Sequence, residues 1–311
     1  MPQASAENQP PTSGPTVPET GPGAALGPAP ADLTGWSVIT AERPLLDLQL
    51  RELWRYRDLI ILFFKRDFVA TYKQTVLGPI WFFAQPVMTA LVFWFVFGRV
   101  GKIMTRGVPQ FLFFMAGIVL WNFFSNCFTK AAGTLSQNSG LFSKVYFPRL
   151  AVPISGVLTN SVILATQFGC FWFFFAMSWL SGHPVYPKVH LLLIPLLVLD
   201  TAALAIGTGL IVAALTTRFR DLAIAATFGV QLLMFASCVV FPVAETIGEE
   251  WRWLIYLNPL VTVIETFRLG VLGFGETSVA HLALSCGISG LLLLIGLIMF
   301  NRAEATAQDT V

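Results

Sequence analysis

Charge is scarce in this chain of 311 residues. Only 12% are Asp, Glu, Lys or Arg, about half the share of an average soluble domain, which excludes an ordinary soluble enzyme and a disordered chain. The formal net charge of +2 gives no footprint for a nucleic-acid partner. Histidine occurs three times, and neither H-E-x-x-H nor an acidic cluster is present, so membrane metalloprotease and Mg-dependent prenyl-transfer chemistries lack their ligands. No G-x-x-x-x-G-K-[ST] loop exists to cradle nucleotide phosphates. No cofactor or metal is therefore expected on this chain, and it is not expected to be an enzyme by itself. Gly287-Ile288-Ser289-Gly290 has the GxSG form of intramembrane serine proteases, but no histidine follows His281 to act as the base. The four cysteines, Cys127, Cys170, Cys238 and Cys286, stand far apart in apolar stretches. That spacing excludes a secreted disulfide scaffold and reads as small packing residues. Residues 1–32 lack the basic start and apolar centre of a signal peptide, so the first membrane segment is expected to stay in the mature chain.

What the chain has is apolar length: 55% hydrophobic residues and a mean hydropathy of +0.71. The expected class is an all-α polytopic membrane protein. Six apolar stretches lie at about 80–98, 110–129, 152–177, 190–215, 222–242 and 279–300, each near the ~20 residues a bilayer requires. Before them, eight prolines within residues 1–32 predict a disordered tail over 1–44. Residues 45–76 carry Leu50, Leu53, Trp54, Ile60, Ile61 and Phe64 at helical period, with Arg51, Glu52, Arg55 and Asp58 opposite. This predicts an amphipathic helix in the membrane surface. The six-span transmembrane domain then runs over 77–302, with a C-terminal tail over 303–311. Between the fifth and sixth spans, 243–278 is broken by Gly248, Pro259, Gly270, Gly273 and Gly275 into pieces too short to cross, which predicts re-entrant or interfacial helices. With the N-terminus inside, twelve Lys and Arg fall in inner loops against six outside, favouring cytoplasmic termini. Asp200, roughly 16 Å into the fourth span at helical rise, is either a polar point on a conduit or a buried hydrogen-bonded group. Small residues at four-residue spacing there, Ala203 and Gly207, then Ala205, Gly209 and Ala213, predict close helix packing.

Three stretches are more specific than hydropathy. The first is Tyr72-Lys73-Gln74-Thr75-Val76-Leu77-Gly78-Pro79-Ile80-Trp81, leading to Gln85-Pro86. The second runs from Val108-Pro109 through Gly117 and Trp121-Asn122-Phe123-Phe124-Ser125 to Lys144-Val145-Tyr146-Phe147-Pro148-Arg149. The third combines Arg218-Phe219-Arg220-Asp221 with Phe241-Pro242-Val243, Asn258-Pro259-Leu260 and Phe267-Arg268. In this order and spacing, over about residues 45–310, the chain resembles the membrane subunit of ATP-binding-cassette polysaccharide exporters. These are the type-2 permeases for O-antigen, capsule and teichoic acid.

The resemblance implies a homodimer in the bacterial inner membrane, working with two copies of a cassette ATPase that bind ATP and Mg. The implied cargo is a polysaccharide on a polyprenyl-pyrophosphate lipid, an O-antigen or related cell-surface glycan. Leu141, Lys144, Tyr146, Phe147 and Arg149 would form the coupling helix against the ATPase. Arg51, Arg55, Arg57, Lys65 and Arg66 would meet lipid head-groups and the pyrophosphate, or serve only as a topogenic anchor. Trp81, Trp94, Phe97 and Trp121 are the expected channel aromatics, placed near span ends where girdles sit. The resemblance also implies two short re-entrant extracytoplasmic helices between spans five and six, a gate to which Asn258, Pro259, Glu265 and Arg268 would belong, with Glu265 and Arg268 able to pair at i,i+3 spacing. An exporter of a small hydrophobic drug or lipid with the same fold is the main rival. A membrane-embedded glycan enzyme and a proton-driven flippase centred on Asp200 are the others.

Overall fold

A computed structural model describes residues 50–73, 78–103, 105, 107–142, 147–182, 186–219 and 221–308. The N-terminal tail, Lys144, Tyr146 and Arg220 lie outside the described residues. Every regular element among the described residues is helical. In chain order these are α1 (Leu50–Arg55), α2 (Arg57–Tyr72), α3 (Trp81–Phe93), α4 (Gln110–Ala132), α5 (Thr134–Gln137), α6 (Ser139–Phe142), α7 (Ala151–Leu180), α8 (Ile194–Thr216), α9 (Leu222–Ala236), α10 (Val243–Thr246), α11 (Glu249–Ile255), α12 (Pro259–Leu272) and α13 (Val279–Gln308). A 3₁₀ turn leads into α3, and a π-helical turn over Trp94–Val100 extends it.

Among the described residues, five helices are long and apolar enough to cross a membrane: Gly78–Val100, Gln110–Ala132, Ala151–Leu180, Val189–Thr216 and Val279–Glu304. The stretch expected as the fifth span over 222–242 differs. Its helix α9 has 15 residues, about 22 Å at helical rise, short of a ~30 Å hydrocarbon core. The chain leaves the helix at Ser237, and Cys238 takes a positive φ of 51°. The carbonyls of Cys238 and Val239 are thereby turned sideways to a donor on α12. Downstream, α11 and α12 meet at a 108° bend.

The core is built around α4, which is buried along most of its length. It packs between α7 and α8, with Phe113, Phe114, Phe124 and Phe171 fully buried. Close approach is made by glycine. A Cβ at Gly207 would lie 2.5 Å from the Leu293 nitrogen on α13, and one at Gly209 would lie 2.5 Å from the Ala131 Cβ on α4. The small-residue pattern of α8 therefore serves contacts within the chain, and Gly296 supplies the matching surface on α13. The first helices pack on the bundle with only part of the face their periodicity suggests, Leu53 and Ile60. Ile60 and Phe63, with Leu53, Tyr56 and Leu59 beside them, pack on Phe147, Ala151 and Val152. Trp54 and Ile61 are exposed. A turn at Tyr56 separates α1 from α2.

Candidate functional site

The helices position polar groups at both ends of α4. Near Gln110, the fully buried Arg268 of α12 is held on several sides. Its Nη1 donates to Glu265 Oε1 at 3.2 Å and to the Cys238 carbonyl at 3.0 Å, and its Nη2 donates to the Val239 carbonyl. The guanidinium lies 3.7 Å from the Phe113 ring centroid. Gly117 makes the room: a Cβ there would sit 2.7 Å from Arg268 Nη2 and 2.8 Å from the Val239 oxygen. Asn258 caps α12 by accepting from the Leu260 amide at 3.1 Å, and its own amide donates to Ser237 Oγ at 3.0 Å. Pro259 occupies the first turn, where a missing N–H costs nothing, and Gly273 ends the helix in the left-handed region at φ 67°. Arg268 and Asn258 thus clamp the break after α9 to α12. Tyr256 is buried, donates to the Glu276 carbonyl at 2.5 Å and stacks on His281 at 4.1 Å.

One buried polar contact ties three helices. Ser285 Oγ of α13 donates to Asp200 Oδ2 at 2.6 Å and lies 3.3 Å from the Pro259 carbonyl. Asp200 is thus a buried, hydrogen-bonded group joining α8 to α13.

At the other end of α4, a cavity of about 560 Å³ opens between α2, α3, α4 and α7. Asp67 of α2 reaches Lys130 of α4, with Oδ2 and Nζ 2.6 Å apart, and Arg66 Nη2 lies 2.8 Å from the same carboxylate. Above this cluster, the lining from α7 is Gly156, Thr159, Asn160, Ile163 and Gln167, one face of the helix at three- and four-residue steps.

The sequence profile of ABC-2 type transporters matches residues 58–272. The chain belongs to the ABC-2 type transporter family. Among similar proteins, an O-antigen export system permease protein RfbA of Klebsiella pneumoniae is 27% identical, covering 79% of this chain and 92% of the relative. A Myxococcus xanthus RfbA protein of the same description is 30% identical over 70% of this chain and 82% of its own length. The polysialic acid transport protein KpsM of Escherichia coli is 24% identical over 78% and 92%.

In this ABC-2 chain, the residues singled out from the sequence fall into separate places. Asn258, Pro259, Glu265 and Arg268 come together as described. Phe147 is buried against Phe63, with ring centroids 5.4 Å apart. Arg149 lies over the Phe142 ring at 5.1 Å and approaches Glu304 of α13 at 3.7 Å, so it points inward. Leu141 lies in α6. Arg55, Arg57, Lys65 and Arg66 are exposed. Arg57 stacks over Trp54 and Arg66 over Phe63. Arg51 belongs to α1. Of the expected channel aromatics, Trp81 is exposed, Trp94 and Phe97 are half-buried in the π-helical turn, and Trp121 is buried midway along α4, away from either span end. Sequence reasoning missed Asp67, Asn126, Asn160 and Gln167. Their signal was the recurrence of amides and hydroxyls on one helical face inside apolar runs.

Proposed function

We propose that this chain is the membrane permease subunit of an ATP-driven exporter of a lipid-linked polysaccharide, an O-antigen or related cell-surface glycan. The observation that carries the reading is the family match over residues 58–272, joined to O-antigen permease relatives aligned over 70% or more of the chain. The lack of a phosphate-cradling loop assigns ATP and Mg to a separate cassette ATPase. In this reading two copies of the chain form the path in the bacterial inner membrane, each with two cytoplasmic termini and six crossings, α9 included, and two copies of the ATPase drive them. α1 and α2 lie at the cytoplasmic surface, where Arg51, Arg55, Arg57, Lys65 and Arg66 attract anionic head-groups and the pyrophosphate. α11 and α12 form the extracytoplasmic gate. Trp81, Trp94, Phe97 and Trp121 are offered as ring surfaces along the path. The loop over 134–149 meets the ATPase through Leu141, Lys144 and Tyr146, while Phe147 and Arg149 hold it to the bundle.

Vesicles containing the chain and its cassette ATPase test the reading. Expected is ATP-dependent movement of polyprenyl-pyrophosphate-linked glycan that stops when the ATPase is catalytically dead. Equal movement with the dead ATPase would refute an ATP-driven mechanism. ATPase stimulation by hydrophobic drugs but not by the glycan lipid would select the small-molecule rival.

A further inference from the structure

The cavity between α2, α3, α4 and α7 has a composition that its location does not require. Besides the charged α2, it borders α3, α4 and α7, whose side chains are mostly apolar, and polar groups there are costly unless they face protein, water or a ligand. Yet α7 alone presents Thr159, Asn160 and Gln167 to it. Gln167 is 3% exposed, and its amide makes no hydrogen bond among the described residues. Asn126 of α4, itself exposed, adds a second amide to the lining, while the Asn160 amide donates to the Gly156 carbonyl at 2.9 Å. An amide offers two donors and an acceptor, which suits hydroxyl groups that both give and accept.

Charge narrows the ligand. Asp67 and Lys130, the charged residues of the lining, are paired at 2.6 Å, and Arg66 from outside the lining lies 2.8 Å from the same carboxylate, so each charge is already engaged within the protein. An isolated phosphate would have to break that cluster to gain a cation. The remaining feature is a ring: Phe82 is buried, lines the cavity, and stacks on Phe68 with centroids 6.2 Å apart. A fixed aromatic face beside amides matches a neutral ring bearing hydroxyls around its edge and C–H groups on its face. The volume, about 560 Å³, falls within the ~300–1,000 Å³ typical of small-molecule sites. We propose that this cavity binds a sugar unit of the lipid-linked glycan. The inference rests on the export reading and locates where that cargo is first held by its carbohydrate.

The test uses the full chain with its ATPase in phospholipid vesicles. Cys286, the one cysteine among the described residues that is not buried, is replaced by Ser. Ala70→Cys then places a thiol on the cavity wall without removing a polar group. Maleimide labelling is timed with three probes: polyprenyl pyrophosphate carrying a short hexose chain, the same lipid without sugar, and the free hexose chain. Expected is slower labelling with the glycosylated lipid and unchanged labelling with the bare lipid. Gln167→Leu and Asn126→Leu should each weaken that protection about three- to ten-fold, the loss of one hydrogen bond. Protection by the free hexose chain as well would support the site as one that reads the sugar alone. Equal protection by the bare lipid would make the cavity a lipid site and overturn the proposal. Absence of protection, or normal glycan export by both leucine variants, would also overturn it while leaving the export reading intact. Wild-type vesicles that move no glycan with ATP would instead sink that reading.

Discussion

Arg268 is the most constrained side chain described. Replacing it by Met leaves Glu265 buried without its cation and two carbonyls without their donor. Removing one partner of such a pair costs about 3–5 kcal/mol, so Arg268→Met should lower the thermal midpoint in detergent sharply. Gly117→Ala should do the same through crowding, by about 1–3 kcal/mol, because the added methyl meets both Arg268 and the Val239 oxygen. Fluorescence-monitored melting of the purified variants checks both. Asp200 makes a milder prediction. Asn can accept from Ser285 as the carboxylate does, so Asp200→Asn should retain glycan export and Asp200→Leu should lose stability. Abolished transport in the Asn variant, with intact folding, would restore a proton-handling role. The pairing of Glu265 with Arg268 was legible in the sequence, since i,i+3 spacing places both on one face. The carbonyls of Cys238 and Val239 were not legible, because a main-chain acceptor about thirty residues away leaves no mark in composition.

Among the helices, glycine sets which surfaces interlock. A side chain at Gly296 would strike the Gly207 carbonyl, whereas Gly287 and Gly290 face open space. Gly296→Leu should therefore destabilise the α8–α13 contact by about 1–3 kcal/mol, and Gly287→Ala should be near neutral. Thermal midpoints of the two variants measured side by side decide this, and equal effects would discount the interlock. Hydropathy placed the long helices well, because their apolar runs exceed any competing signal. It overextended α9, where the residues after Ala236 are as apolar as those before. The turn there depends on Arg268, which lies on another helix. Hydropathy averaging also hid the amides of α7, because two or three polar residues barely change the mean of a thirty-residue apolar helix.

At the scale of the whole chain, the loop before α7 is tied to the C-terminal helix through Arg149 and Glu304. Arg149→Glu would set two carboxylates against each other, so reduced ATPase association in that variant would not by itself report docking. The paired exchange Arg149→Glu with Glu304→Arg should recover wild-type stability. Lys144→Glu alone should weaken co-purification of the ATPase while membrane insertion is preserved. Undiminished co-purification would remove Lys144 from the docking surface.

α13 has 30 residues and spans about 45 Å at helical rise. It meets Arg149 through Glu304, presses on Gly207 near its middle, hydrogen-bonds Asp200 through Ser285, and lays His281 on the Tyr256 ring. One continuous helix thus touches fittings from the loop before α7 to the bend before α12. A push delivered at its C-terminal tip can arrive at the far tip without bending any intermediate part, as in a piston.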